Sequence, residues 1–185
     1  MQILLVPGLW NSGPEHWQSW WERERQDCRR VVQADWETPK RDDWVATLES
    51  AVAAEDGPVV IAAHSLGCAL IAHWAAQSKQ PGKVQGALLV APSDVDAPSY
   101  PAGPVGFAPM PLRRLPMASI VVASSDDEYV TPGRAAQFAE AWGSRFVNVG
   151  AKGHINSASG LRMWPEGFAL VEELIRREGK SSDPR

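Results

Sequence analysis

Cysteine is scarce in this sequence, with only Cys28 and Cys68 in 185 residues. Two thiols so placed supply neither a disulfide framework nor the paired spacing of a metal site. No apolar run approaches the roughly 20 residues of a membrane span, so no membrane partner is expected. A basic excess is missing as well: 18 Lys and Arg stand against 22 Asp and Glu, net −4, with the signs interspersed. That excludes the clustered positive surface a nucleic-acid partner requires. The glycine patterns of dinucleotide and P-loop sites are absent, and the four histidines have no ligand spacing. No metal or other cofactor is therefore expected. Repeats and low-complexity blocks are also lacking. The opening "MQILLVPG" has no basic leader and no cleavage signature, and it turns at Pro7-Gly8. It reads as a strand without a signal peptide, so a cytoplasmic location is expected.

What remains is ordinary for a globular domain, with 44% hydrophobic and 22% charged residues. One domain over 1–178 is expected, with a disordered tail at 179–185. β-type and helical segments alternate. "QILLVPG", "RVVQAD", "PVVIAAH", "VQGALLVAP", "ASIVVASSDD" and "RFVNVG" read as strands. Helices are expected over "GPEHWQSWWERERQ", "RDDWVATLESAVAAED", "LGCALIAHWAAQSK", "PGRAAQFAEAWG" and "WPEGFALVEELIRREG". The strands are continuous apolar runs, as when helices cover both faces of a sheet. The expectation is an α/β protein: a three-layer αβα sandwich around a mostly parallel sheet of about six strands. Seven of the fifteen prolines fall within 92–117. No helical cap can form through that density, so the segment is read as an extended flap over the site.

Ligands of such sheets bind beyond the carboxyl ends of the strands. There, at the end of the third strand, stands Ala63-His64-Ser65-Leu66-Gly67, a near match to the G-x-S-x-G nucleophile elbow. The sharp strand-to-helix turn needs small neighbours, and the helix N-terminus presents N–H groups to a developing oxyanion. Ala63 replaces the first glycine. The bland alternative, a serine N-cap, does not explain the surrounding strand–turn–helix context.

A serine hydroxyl needs a base and the base an orienting acid, in the chain order Ser, acid, His on this fold. His16 and His73 are read as helical, and His64 as pointing away from the elbow. His154, in the glycine-rich "GAKGHINSASG", is the expected base. For the acid, Asp126 and Asp127 end strand five, and Asp94 and Asp96 follow strand four.

These motifs resemble the small serine hydrolases of the YdeN-like, retinoblastoma-binding-protein-nine-like family, in its bacterial branch. The resemblance runs through "LLVPGLWNSGPEHWQSWW", "AAHSLGC", "VAPSDVDAP", "ASSDDEYV" and "GAKGHINSASGLRMWPEG", nearly the whole chain. It implies the α/β-hydrolase fold, carboxylesterase-like activity, and Ser65, Asp127 and His154 as the triad. The backbone N–H of Leu66, with that of Leu9 or else Trp10, would form the oxyanion hole. Trp10, Trp17 and Trp36 are expected to wall the substrate pocket, with Phe107 and Met110 lining it from the flap. The remaining helical tryptophans are assigned to the core. The expected partner is a small-molecule ester or activated amide. The alternative is a catalytically weak hydrolase fold that serves as a protein-interaction module.

Overall fold

The computed structural model describes residues 1–178; the tail expected to be disordered, 179–185, lies outside the described residues. In chain order the elements are β1 (Gln2–Val6), α1 (Trp17–Glu24), β2 (Cys28–Arg30), α2 (Arg41–Ala53), β3 (Val59–His64) and α3 (Leu66–Ala75). They continue with β4 (Val84–Val90), β5 (Ala118–Ala123), α4 (Pro132–Trp142), β6 (Arg145–Asn148) and α5 (Pro165–Glu178). All described strand pairs are parallel, in the order β2-β1-β3-β4-β5-β6.

The strands read as unbroken apolar runs because each side chain has a helix to meet. Ile3, Leu5, Val60, Ala62, Leu88, Val90, Ile120 and Val122 pack under α1 and α5. Their neighbours Leu4, Val6, Ile61, Ala63, Leu89 and Val121 pack under α2, α3 and α4. The alternation follows from the two-residue period of a strand. Six of the nine tryptophans are buried in the core, and four of these also tie it together. Indole N–H groups of Trp17, Trp21, Trp44 and Trp142 donate to the carbonyls of Ile155, Met163, Asp35 and Pro111 at 2.7–3.0 Å. Each large ring thus fills the interior while its polar edge holds a loop.

Some boundaries differ from expectation. The first helix starts at Trp17, not near Pro14, because His16 is its N-cap and accepts the Gln18 N–H through Nδ1. β2 covers residues 28–30, not 30–35. Val31 N–H still donates to Leu5 O at 2.9 Å, but β1 then ends at Val6, before the Pro7-Gly8 turn. Beyond that point the second strand has no neighbour to pair with.

The 92–117 segment contains no helix, and Tyr100 and Pro101 of it border the space above Ser65, but Val105 to Met110 do not cover the site. Val105 bridges to Lys40, and Phe107 stacks edge-on against Trp44 with ring centroids 5.6 Å apart. His73 Nε2 donates to Phe107 O at 2.7 Å, and the Met110 N–H donates to Asp96 at 3.0 Å. The segment therefore lies along α2 and α3, with Phe107 and Met110 buried in the core.

The topology creates the crevice. Chain leaving β1 goes to α1 on one face, and chain leaving β3 goes to α3 on the other. Neighbouring strands whose connections diverge in this way open a cleft at their carboxyl ends. The end of β1 and the first turn of α3 approach closely there: a Cβ on Gly67 would lie 2.5 Å from Val6 O and 2.8 Å from Pro7 O. The Gly67→Ala protein should therefore lose about 1–3 kcal/mol of stability, read as a Tm several degrees below wild type by thermal denaturation. An unchanged Tm would mean that β1 and α3 are free to separate.

Candidate active site

Ser65 occupies the turn between β3 and α3 with φ 54° and ψ −122°. That is a costly conformation for any residue bearing a Cβ, of order 1–3 kcal/mol. It lifts the hydroxyl clear of both strand and helix. The turn forms although Ala63 stands where the motif has glycine, because the Ala63 methyl is absorbed into the core beneath α3. Gly8, from the other strand, comes so close that a Cβ there would sit 2.8 Å from Ser65 Cβ.

His154 Nε2 lies 2.8 Å from Ser65 Oγ, and its Nδ1 lies 2.9 Å from both oxygens of Asp127. A carboxylate only accepts, so Nδ1 carries the proton and Nε2 accepts from the serine hydroxyl. The Asp127 side chain is wholly buried, and its Oδ1 also accepts the Tyr129 N–H at 2.8 Å. The Tyr129 ring lies against the imidazole, centroids 4.5 Å apart. An imidazole held on both nitrogens can take the hydroxyl proton while the carboxylate steadies the resulting charge.

The competing acids are committed elsewhere. Asp126 Oδ1 accepts from Ser124 Oγ at 2.7 Å and from the Gly153 N–H at 2.8 Å. These two bonds hold its carboxyl below the usual range, the serine contributing most, and they pin the loop one residue before His154. Asp94 and Asp96 pair with Arg134 at 3.2 and 2.7 Å.

Two residues were placed differently from expectation. His64 does not turn away from the elbow: its Nε2–H donates to the backbone carbonyl of His154 at 2.9 Å. The residue before the serine thus holds the loop that carries the imidazole. His16 stands edge-on to His64, centroids 4.6 Å apart. Burial, then the Arg30 charge, then His154 push its pKa down to about 3. Burial is also the main cause that puts His64 well below 6.5. Both rings are neutral near pH 7. Single-sequence reasoning gave no sign of these contacts, because they join residues about 50 and 90 positions apart.

The cavity above Ser65 holds about 320 Å³, and its walls include Leu9, Trp10, His16, Tyr100, Tyr129 and Asn156. Of the expected wall residues only Trp10 is there. Trp17 is fully buried between Trp21 and Trp164 on the α1 face. Trp36 leans on Trp44, and Phe107 and Met110 are in the core on the α2–α3 side. The wall is completed instead by the loops that carry Leu9, Tyr100, Tyr129 and His154. Near the cavity floor, the Leu66 N–H heads α3, where no intrahelical acceptor exists. The Trp10 N–H donates to Trp36 O at 2.8 Å, whereas the Leu9 N–H has no acceptor among the described residues. No group of side chains able to hold a metal occurs among the described residues, and no helix there is long and apolar enough to cross a membrane.

Comparison with known proteins gives the family and the fold. The model of the serine hydrolase family matches residues 3–173. No curated protein sequence matches the chain. Among solved structures, a protein described as a YdeN-like hydrolase from Pectobacterium atrosepticum is 31% identical with a TM-score of 0.82, over 94% of this chain and 89% of that one. The ydeN gene product of B. subtilis is 18% identical with a TM-score of 0.78, over 95% of this chain and 98% of that one. A monoacylglycerol lipase from Paleococcus ferrophilus, 11% identical with a TM-score of 0.69 over 95% and 94% of the chains, shares the fold. The architecture is the α/β-hydrolase fold. The chain belongs to the serine hydrolase family, and its structural neighbours include YdeN-like hydrolases.

The His64 contact generates a test. His64→Leu removes the donor and should slow fluorophosphonate labelling of Ser65 about three- to tenfold, the worth of one neutral hydrogen bond. His64→Gln, which keeps an N–H, should recover most of the rate. Equal labelling by wild type and His64→Leu would show that the His154 loop needs no such support.

Proposed function

We propose that this protein hydrolyses small carboxylic esters, or activated amides, through an acyl-serine intermediate. The observation that carries the reading is the unbroken chain of hydrogen bonds from Asp127 through His154 to Ser65. Ser65 Oγ attacks the carbonyl carbon as its proton passes to His154 Nε2. The carbonyl oxygen becomes an oxyanion held by the N–H groups of Leu66 and Leu9. Trp10 is not assigned to that role, because its N–H is already spent on Trp36. The tetrahedral adduct collapses, the C–O bond to the leaving alcohol breaks, and His154 returns the proton to that oxygen. Water then adds to the acyl-serine, giving up a proton to His154. The acid leaves and Ser65 is restored.

The electrostatics suit this sequence of steps. Asp127 is buried beside the ring that must become positive, and the positive end of α3 lies behind the oxygen that becomes negative. Strain at Ser65 is built in by folding, so the hydroxyl needs no reorganisation on substrate binding. The cavity has room for a small ester but not for a large polymeric chain to be enclosed.

Ser65→Ala should abolish fluorophosphonate labelling and lower kcat for p-nitrophenyl acetate by about 10⁴–10⁶, with circular dichroism unchanged. Asp127→Asn should cost roughly 10⁴ by stabilising the wrong imidazole tautomer, whereas Asp126→Asn should cost far less. A Ser65→Ala protein as fast as wild type would defeat the assignment, and the opposite ranking of the aspartates would move the acid one residue upstream.

A second test uses pH. A general base must be unprotonated, so kcat/KM should rise with pH and fall in acid. His16, pushed down to about 3 by burial, stays neutral from pH 5 to 8, and burial also holds His64 well below 6.5. One ionisation should therefore describe the rising limb. Two limbs, or a flat profile with chemistry rate-limiting, would contradict a single histidine base.

A further inference from the structure

Trp10 differs from the other eight tryptophans in being exposed. It is 57% accessible, whereas Trp17, Trp21, Trp44, Trp74, Trp142 and Trp164 are at 5% or less, and Trp20 and Trp36 are intermediate. Its backbone is left-handed, φ 64°, as is that of Asn11 at φ 64°. That conformation costs a bulky residue about 1–2 kcal/mol. The loop is nevertheless held firmly in it. The Trp10 N–H donates to Trp36 O at 2.8 Å, and Arg30 binds Asn11 Oδ1 at 2.7 Å and Ser12 O at 2.9 Å. A large ring is thus fixed at the lip of the Ser65 cavity and is left more than half exposed by the described residues.

The cavity it borders carries no Asp, Glu, Lys or Arg among the described residues. His16 and His64 also contribute no charge near neutral pH, because burial keeps both unprotonated. The Arg30 guanidinium near the loop is consumed by Glu22, Asn11, Ser12 and Ser19. A charged substituent entering this space would lose its water and find no counter-ion. An aromatic ring would find the Trp10 face, with Tyr100 and Pro101 of the 92–117 segment bordering the same space.

Resting on the proposed hydrolase reading, we infer that Trp10 is a specificity-determining residue and that the preferred substrates are uncharged esters with an aromatic ring beside the scissile group. The ring stacks on the Trp10 indole while the ester carbonyl reaches Ser65. Aromatic pairs contribute beyond simple area burial, which sets an expected preference of about tenfold.

The test compares benzyl acetate, ethyl acetate and 4-carboxybenzyl acetate, whose leaving alcohols are all alkoxides of similar reactivity. Wild type should favour benzyl over ethyl acetate and should be at least about tenfold poorer on the carboxylated ester. Trp10→Ala should raise KM for benzyl acetate about tenfold and shrink its advantage over ethyl acetate, and Trp10→Phe should restore most of it. Equal effects of Trp10→Ala on benzyl and ethyl acetate, or equal turnover of the charged and uncharged benzyl esters, would overturn the inference. Binding of benzyl acetate to the Ser65→Ala protein, followed by NMR titration with and without Trp10→Ala, separates the two readings. Trp10-dependent binding without turnover in the wild type would overturn the hydrolase reading and uphold the aromatic site. Binding unaffected by Trp10→Ala would remove the aromatic site and leave the hydrolase reading intact.

Discussion

The contact between the end of β1 and the first turn of α3 governs the rest of the site. Gly67 lies directly against the Val6 and Pro7 carbonyls, and Gly8 lies directly against Ser65. Only because neither residue has a side chain can the β1 loop reach the elbow. That approach brings the Leu9 amide near the serine and sets Trp10 at the cavity lip. It also leaves Ser65 in a conformation that no isolated strand–helix turn would choose. The surrounding parallel sheet supports this strain: β3 is bonded on both sides, to β1 and to β4, and the Ser65 N–H is itself bonded to Val90 O at 2.9 Å. Disturbing this contact would therefore move Ser65 and the Leu9 and Leu66 amides together.

The His154 loop is held from three directions by groups that differ in kind. Asp126 bonds the Gly153 amide, His64 bonds the His154 carbonyl, and Asp127 bonds the ring. Two of these anchors come from the end of β5 and one from the end of β3. A loop after β6 is thereby referred to the strands at the centre of the sheet. Edge strand β6 is short and exposed, so it could not fix the ring by itself.

The sheet and the strand–turn–helix around Ser65 were legible because they are written locally. Continuous apolar runs mark buried parallel strands, and the elbow is five consecutive residues. The choice between Asp126 and Asp127 was not legible from the residues alone. Both end β5, and only the three-dimensional path shows that one bonds the ring and the other its loop. The pocket walls were the least legible. Trp17, Trp36, Phe107 and Met110 are large and apolar, and nothing in their local sequence distinguishes a pocket wall from a core. The 92–117 segment carries no periodic pattern, so its proline content excluded a helix without revealing which face it would cover. His64 and His16 were misplaced for a related reason: their contacts are made across the fold, and adjacent letters do not encode them.

The neutral histidines have an electrostatic consequence for the proposed chemistry. His154 must gain a positive charge as Ser65 attacks, and the His64 ring lies only 4.8 Å away, centroid to centroid. Were His64 also charged, the repulsion at that separation would be about 3.5 kcal/mol at an effective dielectric constant near 20. Such an energy corresponds to a rate loss of a few hundredfold if it fell wholly on the transition state. Burial prevents this by keeping His64 unprotonated, and its hydrogen bond to the His154 carbonyl requires only the neutral ring. Desolvation thus allows one imidazole to support another at close range without opposing its charge. The Asp127 carboxyl is in direct contact with the His154 ring, and in the proposed chemistry the support it gives that ring is not cancelled by His64.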